Sequence, residues 1–211
     1  MEHITTGQPS AFFVDEPGGT GKTYLYCALY AATRAMGKIV LPTATSGKAA
    51  SNIVTVSAFC CVPKKSSLDA LLKETSLIIW DEASMAKKEN IEVVDVLLHD
   101  LCSPSIPFGG KVVVFVGDFR QVLHVVPRKS LNEAVEASLV SSNLWNQFHR
   151  FRLTDNMRAR TYSQFADFLL AMGNGQMQNA EIAQIQLPQH VMMPFHESED
   201  DFDSLIDFVF P

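Results

Sequence analysis

Four short stretches hold residue types that can do chemistry together. In GGTGKT, residues 18–23, Gly18, Gly19, Thr20 and Gly21 precede Lys22 and Thr23, between an apolar run and an amphipathic one. Glycines let successive backbone N–H groups converge on an anion, and the start of a helix adds partial positive charge. A lysine so placed reaches the β- and γ-phosphates of a nucleotide, and the threonine hydroxyl ligates Mg2+. The pattern G-x-x-x-x-G-K-[ST] fails at one position only, where Glu16 stands in place of its first glycine.

The other three stretches supply acids, an amide and a cation. LIIWDEA, residues 77–83, ends in Asp81 and Glu82. In a P-loop enzyme such an aspartate holds Mg2+, and a following glutamate orients or deprotonates the attacking water. VVVFVGDFRQV, residues 112–122, ends its apolar run at Gly117 and Asp118 and then carries Arg120 and Gln121. Glutamine at the carboxyl end of a parallel strand senses a γ-phosphate or positions water; the alternative is a polar loop with no ligand. LTDNMRA, residues 153–159, carries Arg158, whose guanidinium would either neutralise charge on a γ-phosphate or face solvent.

Groups so scattered along the chain need strands that end at one edge. Apolar runs at 11–15, 38–45, 76–83 and 111–118 read as strands, and HRFRLTD at 149–155 as a fifth. Helical spacing predicts helices over 22–36 (stopped by Gly37), from 46 onward, and over 68–74, 88–102 and 161–175. Continuous apolar runs separated by helical segments predict an α/β fold with a parallel sheet covered on both faces. After Gly175 the pattern weakens, with two short strands in EIAQIQLP and HVMMP and a last helix in DDFDSLIDFVF expected. One domain over 1–175 and a short C-terminal annex over 176–211 follow from that change.

The bulk numbers narrow the partners. An apolar content of 47% in 211 residues is ample for a core. No apolar run, Val112–Val116 included, approaches the length needed to cross a bilayer, so a soluble, intracellular chain with no membrane partner is expected. Cys27, Cys60, Cys61 and Cys102 form no CxxC pair and read as buried free thiols. The net charge is −6, but all 17 Lys and Arg lie within residues 1–160, against 15 of the 23 acids. Cations are thus available to a polyanion over the first three quarters of the chain, and the acidic end repels one.

In order and wording, GGTGKT, LIIWDEA, PFGGKVVVFVGDFRQVLHVVP, SSNLWNQF, RLTDNMR and FADFLLAMGNG resemble the PIF-type (petite integration frequency) DNA helicases, in particular their plant and transposon-associated branch. The resemblance runs from about residue 11 to the C-terminus. It implies a RecA-like P-loop motor domain that hydrolyses ATP with Mg2+ and moves 5′ to 3′ on single-stranded DNA, in DNA repair, recombination and telomere maintenance. By position, Gly18, Gly19, Thr20, Gly21, Lys22 and Thr23 would hold the nucleotide, with Thr23 and Asp81 on the metal. Glu82 would activate water, Gln121 would sense the γ-phosphate, and Arg158 would be the arginine after the fifth strand. TATSGKAA, residues 43–50, resembles the segment that touches the DNA backbone, implicating Thr45 and Ser46.

Departures from the family pattern shape the rest of the expectation. Glu16 puts a negative charge near the phosphates and would forbid any glycine-only backbone angle. The stretch 51–63 is short, with Thr55, Ser57 and Phe59 a trimmed remnant of a Gly-Gly-Arg-Thr-Ala-His-Ser-like segment. Ser84 and His124 stand where proline is common. The chain ends at LIDFVFP, about where the family's second RecA-like domain begins. The expectation is a first motor domain that binds Mg·ATP and alone unwinds DNA poorly or not at all, in the nucleus or else the mitochondrion. A remnant that binds only nucleotide or a partner is the rival. A small-molecule kinase or GTPase is opposed by the lack of Asn-Lys-x-Asp.

Overall fold

A computed structural model describes residues 1–45, 54–55, 62–121, 130–176, 185, 187–188 and 192. The strands are β1 (Ser10–Asp15), β2 (Ile39–Ala44), β3 (Val54–Thr55), β4 (Thr75–Asp81), β5 (Val112–Gly117) and β6 (His149–Arg152). They form one parallel sheet in the order β3-β2-β4-β5-β1-β6. The five expected strands are all present. The addition is β3, two residues against Thr43 and Ala44 of β2, too short to give a periodic signal. The helix expected from residue 46 and the terminal strands and helix lie almost wholly outside the described residues.

The register decides where the chemistry can sit. Ala44 pairs with Asp81, Trp80 with Phe115, and Asp15 with both Gly117 and Arg152. Parallel strands all end at the same edge, so the loops after β1, β2, β4, β5 and β6 emerge side by side.

Period-two alternation splits the strands' side chains between two cores. On one face Phe13, Leu41, Ile78, Trp80, Val113 and Phe115 pack against Leu72 of α3 (Ser67–Glu74) and against Ile91, Val94 and Leu98 of α4 (Lys88–Leu101). On the other, Val14, Val40, Leu77, Ile79, Val112, Val114 and Val116 meet Leu25, Tyr26 and Leu29 of α2 (Lys22–Ala35) and Ile4 of α1 (Glu2–Thr6). Helices therefore cover both faces, as continuous apolar strands require. Full burial of one such aliphatic side chain is worth about 1.5–3 kcal/mol. No helix among the described residues is long and apolar enough to cross a membrane.

Local chemistry ends the elements. Gly37, at φ +72°, stops α2 where the sequence places the stop. α5 (Leu131–Glu136) starts at a reciprocal cap between Ser130 and Glu133. β5 is entered through Pro107–Gly110, where Phe108 is buried and its N–H donates to Asp95 Oδ1 at 2.5 Å. Gly109, at φ +60°, lies directly on the Leu98 carbonyl of α4, where no side chain fits. One expectation is corrected for two of the four cysteines: Cys27, on α2, is exposed and Cys102 half-buried, while Cys60 and Cys61 lie outside the described residues.

The chain divides into two units, Met1–Asp167 and Phe168–Pro211. The first holds the sheet. The second begins within α6 (Ser163–Gly173), whose end is closed by Gln176 N–H donating to Ala171 O and by Gly175 at φ +71°.

Candidate nucleotide site

Lys22 opens α2 immediately after Gly21, which caps the helix at φ +97°. Its ammonium is 2.5 Å from Glu82 Oε1, 3.4 Å from Asp81 Oδ1 and 3.6 Å from Glu16 Oε2. Burial pulls this lysine's pKa down, but the Glu82 hydrogen bond and the charges of Asp81, Glu82 and Glu16 outweigh it and hold it above the ordinary value. Asp81 is the last residue of β4. Its Oδ1 also accepts from Tyr26 Oη at 2.7 Å and from Glu82 N–H at 2.8 Å. Tyr26 lies one turn along α2 from Lys22, so both side chains reach Asp81 from the same helix face. Burial and the Asp81 carboxylate together push the Tyr26 hydroxyl far above its usual range, so it stays a donor.

Glu82 sits at φ +52°, ψ +39°, a left-handed conformation costly for a residue with a side chain. That turn ends the strand at Asp81 and aims Glu82 back at Lys22. Ser84, in the following turn, donates to Asp118 O at 3.2 Å. A Cβ on Gly117 would stand 2.7 Å from the Ser84 nitrogen, so the ends of β4 and β5 touch through a glycine.

Glu16 follows β1 with its N–H bonded to Gly117 O at 3.1 Å. It is only 3% exposed, and its Oε1 accepts from Thr20 Oγ1 at 3.1 Å. Burial raises its pKa, with Lys22 and Thr20 opposing in part. Its φ is not positive, so the glycine-only angle feared from the sequence is not used here. The charge is real, and it lies beside the lysine.

Behind the loop, Arg120 clamps Asp15 with both terminal nitrogens, at 2.8 and 2.9 Å, and reaches Asp118 Oδ1 at 2.8 Å. The Asp15 hydrogen bonds hold this guanidinium's pKa still further above its already high value. The network ties the end of β1 to the loop after β5. Gln121 donates to Asp118 Oδ2 at 3.0 Å, and its Nε2 lies 3.6 Å from where a Cβ on Gly18 would be. The amide therefore stands over the phosphate loop.

The loop after β6 also lies on that glycine run. Asn156 Nδ2 donates to Gly18 O at 3.1 Å, and the N–H groups of Met157 and Arg158 reach Gly19 O at 2.9 and 3.3 Å. Arg158 is exposed beside it, and Thr23 is exposed on the first turn of α2. Thr45 accepts from the Trp80 indole at 2.9 Å and donates its N–H to Asp81 O at 3.1 Å. Ser46, the other residue expected to touch DNA, lies outside the described residues.

Thus Lys22, Asp81 and Glu82 converge, Gln121 and Arg158 border the same loop, and Thr45 adjoins Asp81 through the backbone. Three partners escaped the sequence reading. Tyr26 carried a signal in its one-turn spacing from Lys22, as did Asn156 in its tendency to bond backbone two residues on. The Asp15–Arg120 pair carried none, since 105 positions separate the two.

For a metal, Thr23 offers a hydroxyl and Asp81 a carboxylate whose described contacts all fall on Oδ1. Those are hard oxygen donors of the kind Mg2+ takes, with phosphate and water completing its shell. The residues fit.

Residues 1–183 match the family model described as PIF1-like helicase. The ATP-dependent DNA helicase PIF1 of Trypanosoma brucei brucei is 32% identical over 189 residues, 86% of this chain and 19% of its own length. The ATP-dependent DNA helicase Pif1 of Psychrobacter sp. is 29% identical over 136 residues, 57% of this chain and 21% of its own. The chain therefore spans about a fifth of the length of the curated relatives it matches. Among solved structures, Bacteroides sp Pif1 in complex with ADP-AlF4 superposes with a TM-score of 0.67 at 24% identity, over 86% of this chain and 46% of that one. Bacteroides Pif1 in complex with ADP-AlF3 and ssDNA gives 0.67 at 22%, over 100% and 56%. These structures share the fold of the sheet domain described above.

Proposed function

The chain belongs to the PIF1-like helicase family, and we propose from that premise that it provides the ATP-binding first motor domain of a DNA helicase. The reading extends to 5′-to-3′ movement on single-stranded DNA, to work in repair, recombination and telomere maintenance, and to the nucleus as its site of action. Residues 1–175 are the motor domain in this reading, and 176–211 an annex.

One observation carries it. A lysine at the mouth of a glycine loop is held by two acids from a strand 60 residues on, at the carboxyl edge of a parallel sheet. Nucleotide phosphates entering between β1 and α2 would take over Lys22, whose three carboxylate partners are anions standing where phosphate oxygens would bind. Losing Lys22 would free Glu82 to accept a proton from the attacking water. Gln121, poised over Gly18, would orient that water, and Arg158 would stabilise charge on the γ-phosphate. Bound Mg2+, held by Thr23 and Asp81, would neutralise phosphate charge. Thr45 and Ser46 would contact the DNA backbone, giving sequence-independent affinity.

Glu82→Gln keeps the shape and removes the base. We expect it to lower phosphate release by 100-fold or more while leaving Mg·ATP affinity within about threefold of wild type. Release in wild type should rise with single-stranded DNA. Equal turnover in the two proteins would contradict the assignment.

A second reading, a domain that retains nucleotide binding without turnover, is favoured by Glu16 alone. Its buried carboxylate competes with phosphate for Lys22. Under either reading Glu16→Gly should bind ATP more tightly, and only under the second does wild type bind without hydrolysing.

A further inference from the structure

The loop after β6 grips the phosphate loop through one side chain. Asn156 uses both ends of its carboxamide: Nδ2 donates to Gly18 O at 3.1 Å, and Oδ1 accepts from the N–H groups of Arg158 and Ala159 at 3.1 and 2.9 Å. The turn it stabilises places Met157 N–H on Gly19 O at 2.9 Å, with Arg158 N–H beside it at 3.3 Å. Two consecutive glycine carbonyls are thus held from the same side.

A trans peptide is planar, with its C=O and N–H pointing in opposite directions. Fixing the Gly18 carbonyl therefore fixes the Gly19 N–H, and fixing the Gly19 carbonyl fixes the Thr20 N–H. The Gly19 N–H belongs to the run whose donors would cradle phosphate, while the Thr20 N–H is turned to Pro17 O at 3.3 Å and closes the loop on itself. A second observation agrees. Gly19 has φ +89°, and a Cβ there would stand 2.7 Å from Asn156 Oδ1 and 3.0 Å from the Arg158 Cβ. The glycine makes room for Asn156 and Arg158, whatever ligand the loop takes.

We propose that Asn156 is a positioning residue that sets the peptide orientation of the phosphate loop at Gly18–Gly19 and registers Arg158 against it. Nucleotide affinity and the placement of Arg158 are then coupled through one amide. The inference rests on the nucleotide-binding reading above, and it assigns a role to a residue that touches neither phosphate nor metal.

The test compares Asn156→Ala and the isosteric Asn156→Asp with wild type. The readouts are equilibrium affinity for a fluorescent ATP analogue with Mg2+ and the thermal midpoint without nucleotide. Asn156→Ala loses three hydrogen bonds, one of them to the phosphate loop. It should bind about five- to tenfold more weakly, the effect of that one bond, with its midpoint little changed because the site is exposed. Asn156→Asp should be at least as weak, because a carboxylate oxygen would face the Gly18 carbonyl. Arg158→Ala should cost less affinity in the Asn156→Ala background than in wild type, since the two act as one unit. Variants binding within twofold of wild type, affinities that fall only with the thermal midpoint, or additive Asn156 and Arg158 effects would overturn the inference alone. Failure of wild type itself to bind would overturn the nucleotide-binding reading as well.

Discussion

Glu16 joins the two strongest forces on a buried carboxylate, loss of water and a cation 3.6 Å away. Burial is the larger, so the folded protein holds this proton more tightly than the unfolded chain does. The sign follows from linkage: above the ordinary value of 4.5 the native state binds more protons, so stability falls as pH rises through the raised pKa. Glu16→Gln should lack that slope. Chemical unfolding of both proteins from about pH 4.5 upward measures it, and parallel stability curves would contradict the assignment. The letter that breaks the motif was visible in the sequence; its consequence was only half legible. A charge beside Lys22 follows from spacing within one loop. That Glu16 takes an ordinary backbone angle, and that Thr20 turns its hydroxyl to it, depends on how Gly117 and β5 pack alongside. Tyr26 and Asn156 lay within two to four residues of Lys22 and Arg158, yet their partners are 55 and 138 positions away. Local spacing shows which way such a side chain faces, and only the fold shows what it meets.

The elements that carry the site were the legible part, because four of the strands are continuous apolar runs and α2 stops at Gly37. β1, β2, β4 and β5 lie where those runs do, and β6 lies in the polar stretch HRFRLTD. The short pieces were not legible: β3 has two residues, and α1 is fixed by one buried side chain, Ile4. Strand order was beyond reach too, since pairing Asp15 with Gly117 and Ala44 with Asp81 joins segments far apart in the chain. That register depends on supports distant from the chemistry. The turn Pro107–Gly110 sets where β5 begins, and it packs on α4 through Gly109 and Phe108. Gly109→Ala combines a left-handed angle costly for alanine with a collision on the Leu98 carbonyl, and should destabilise the domain by about 2–4 kcal/mol. Leu98→Ala removes a fully buried side chain and should cost about 2–5 kcal/mol. Denaturant midpoints with unchanged slopes would report both, and losses under 1 kcal/mol would show that this support carries little.

At the scale of the whole molecule, the chemistry-bearing groups come from five separate loops gathered at one edge of one sheet. Family membership explains the wording of those loops, and the parallel register explains why the wording works at such spacing. The account makes Lys22 the pivot, because its ammonium is what the acids hold and what phosphate would claim. Lys22→Ala leaves Asp81 and Glu82 partly buried without their cation, so a second variant, Lys22→Met, keeps the stem's packing. The decisive measurement is an equilibrium titration of wild type and both variants with a fluorescent ATP analogue in Mg2+, each protein first shown to be folded. Saturable binding by wild type, weakened tenfold or more in both variants, is the predicted result. Folded variants that bind as tightly as wild type would contradict the account.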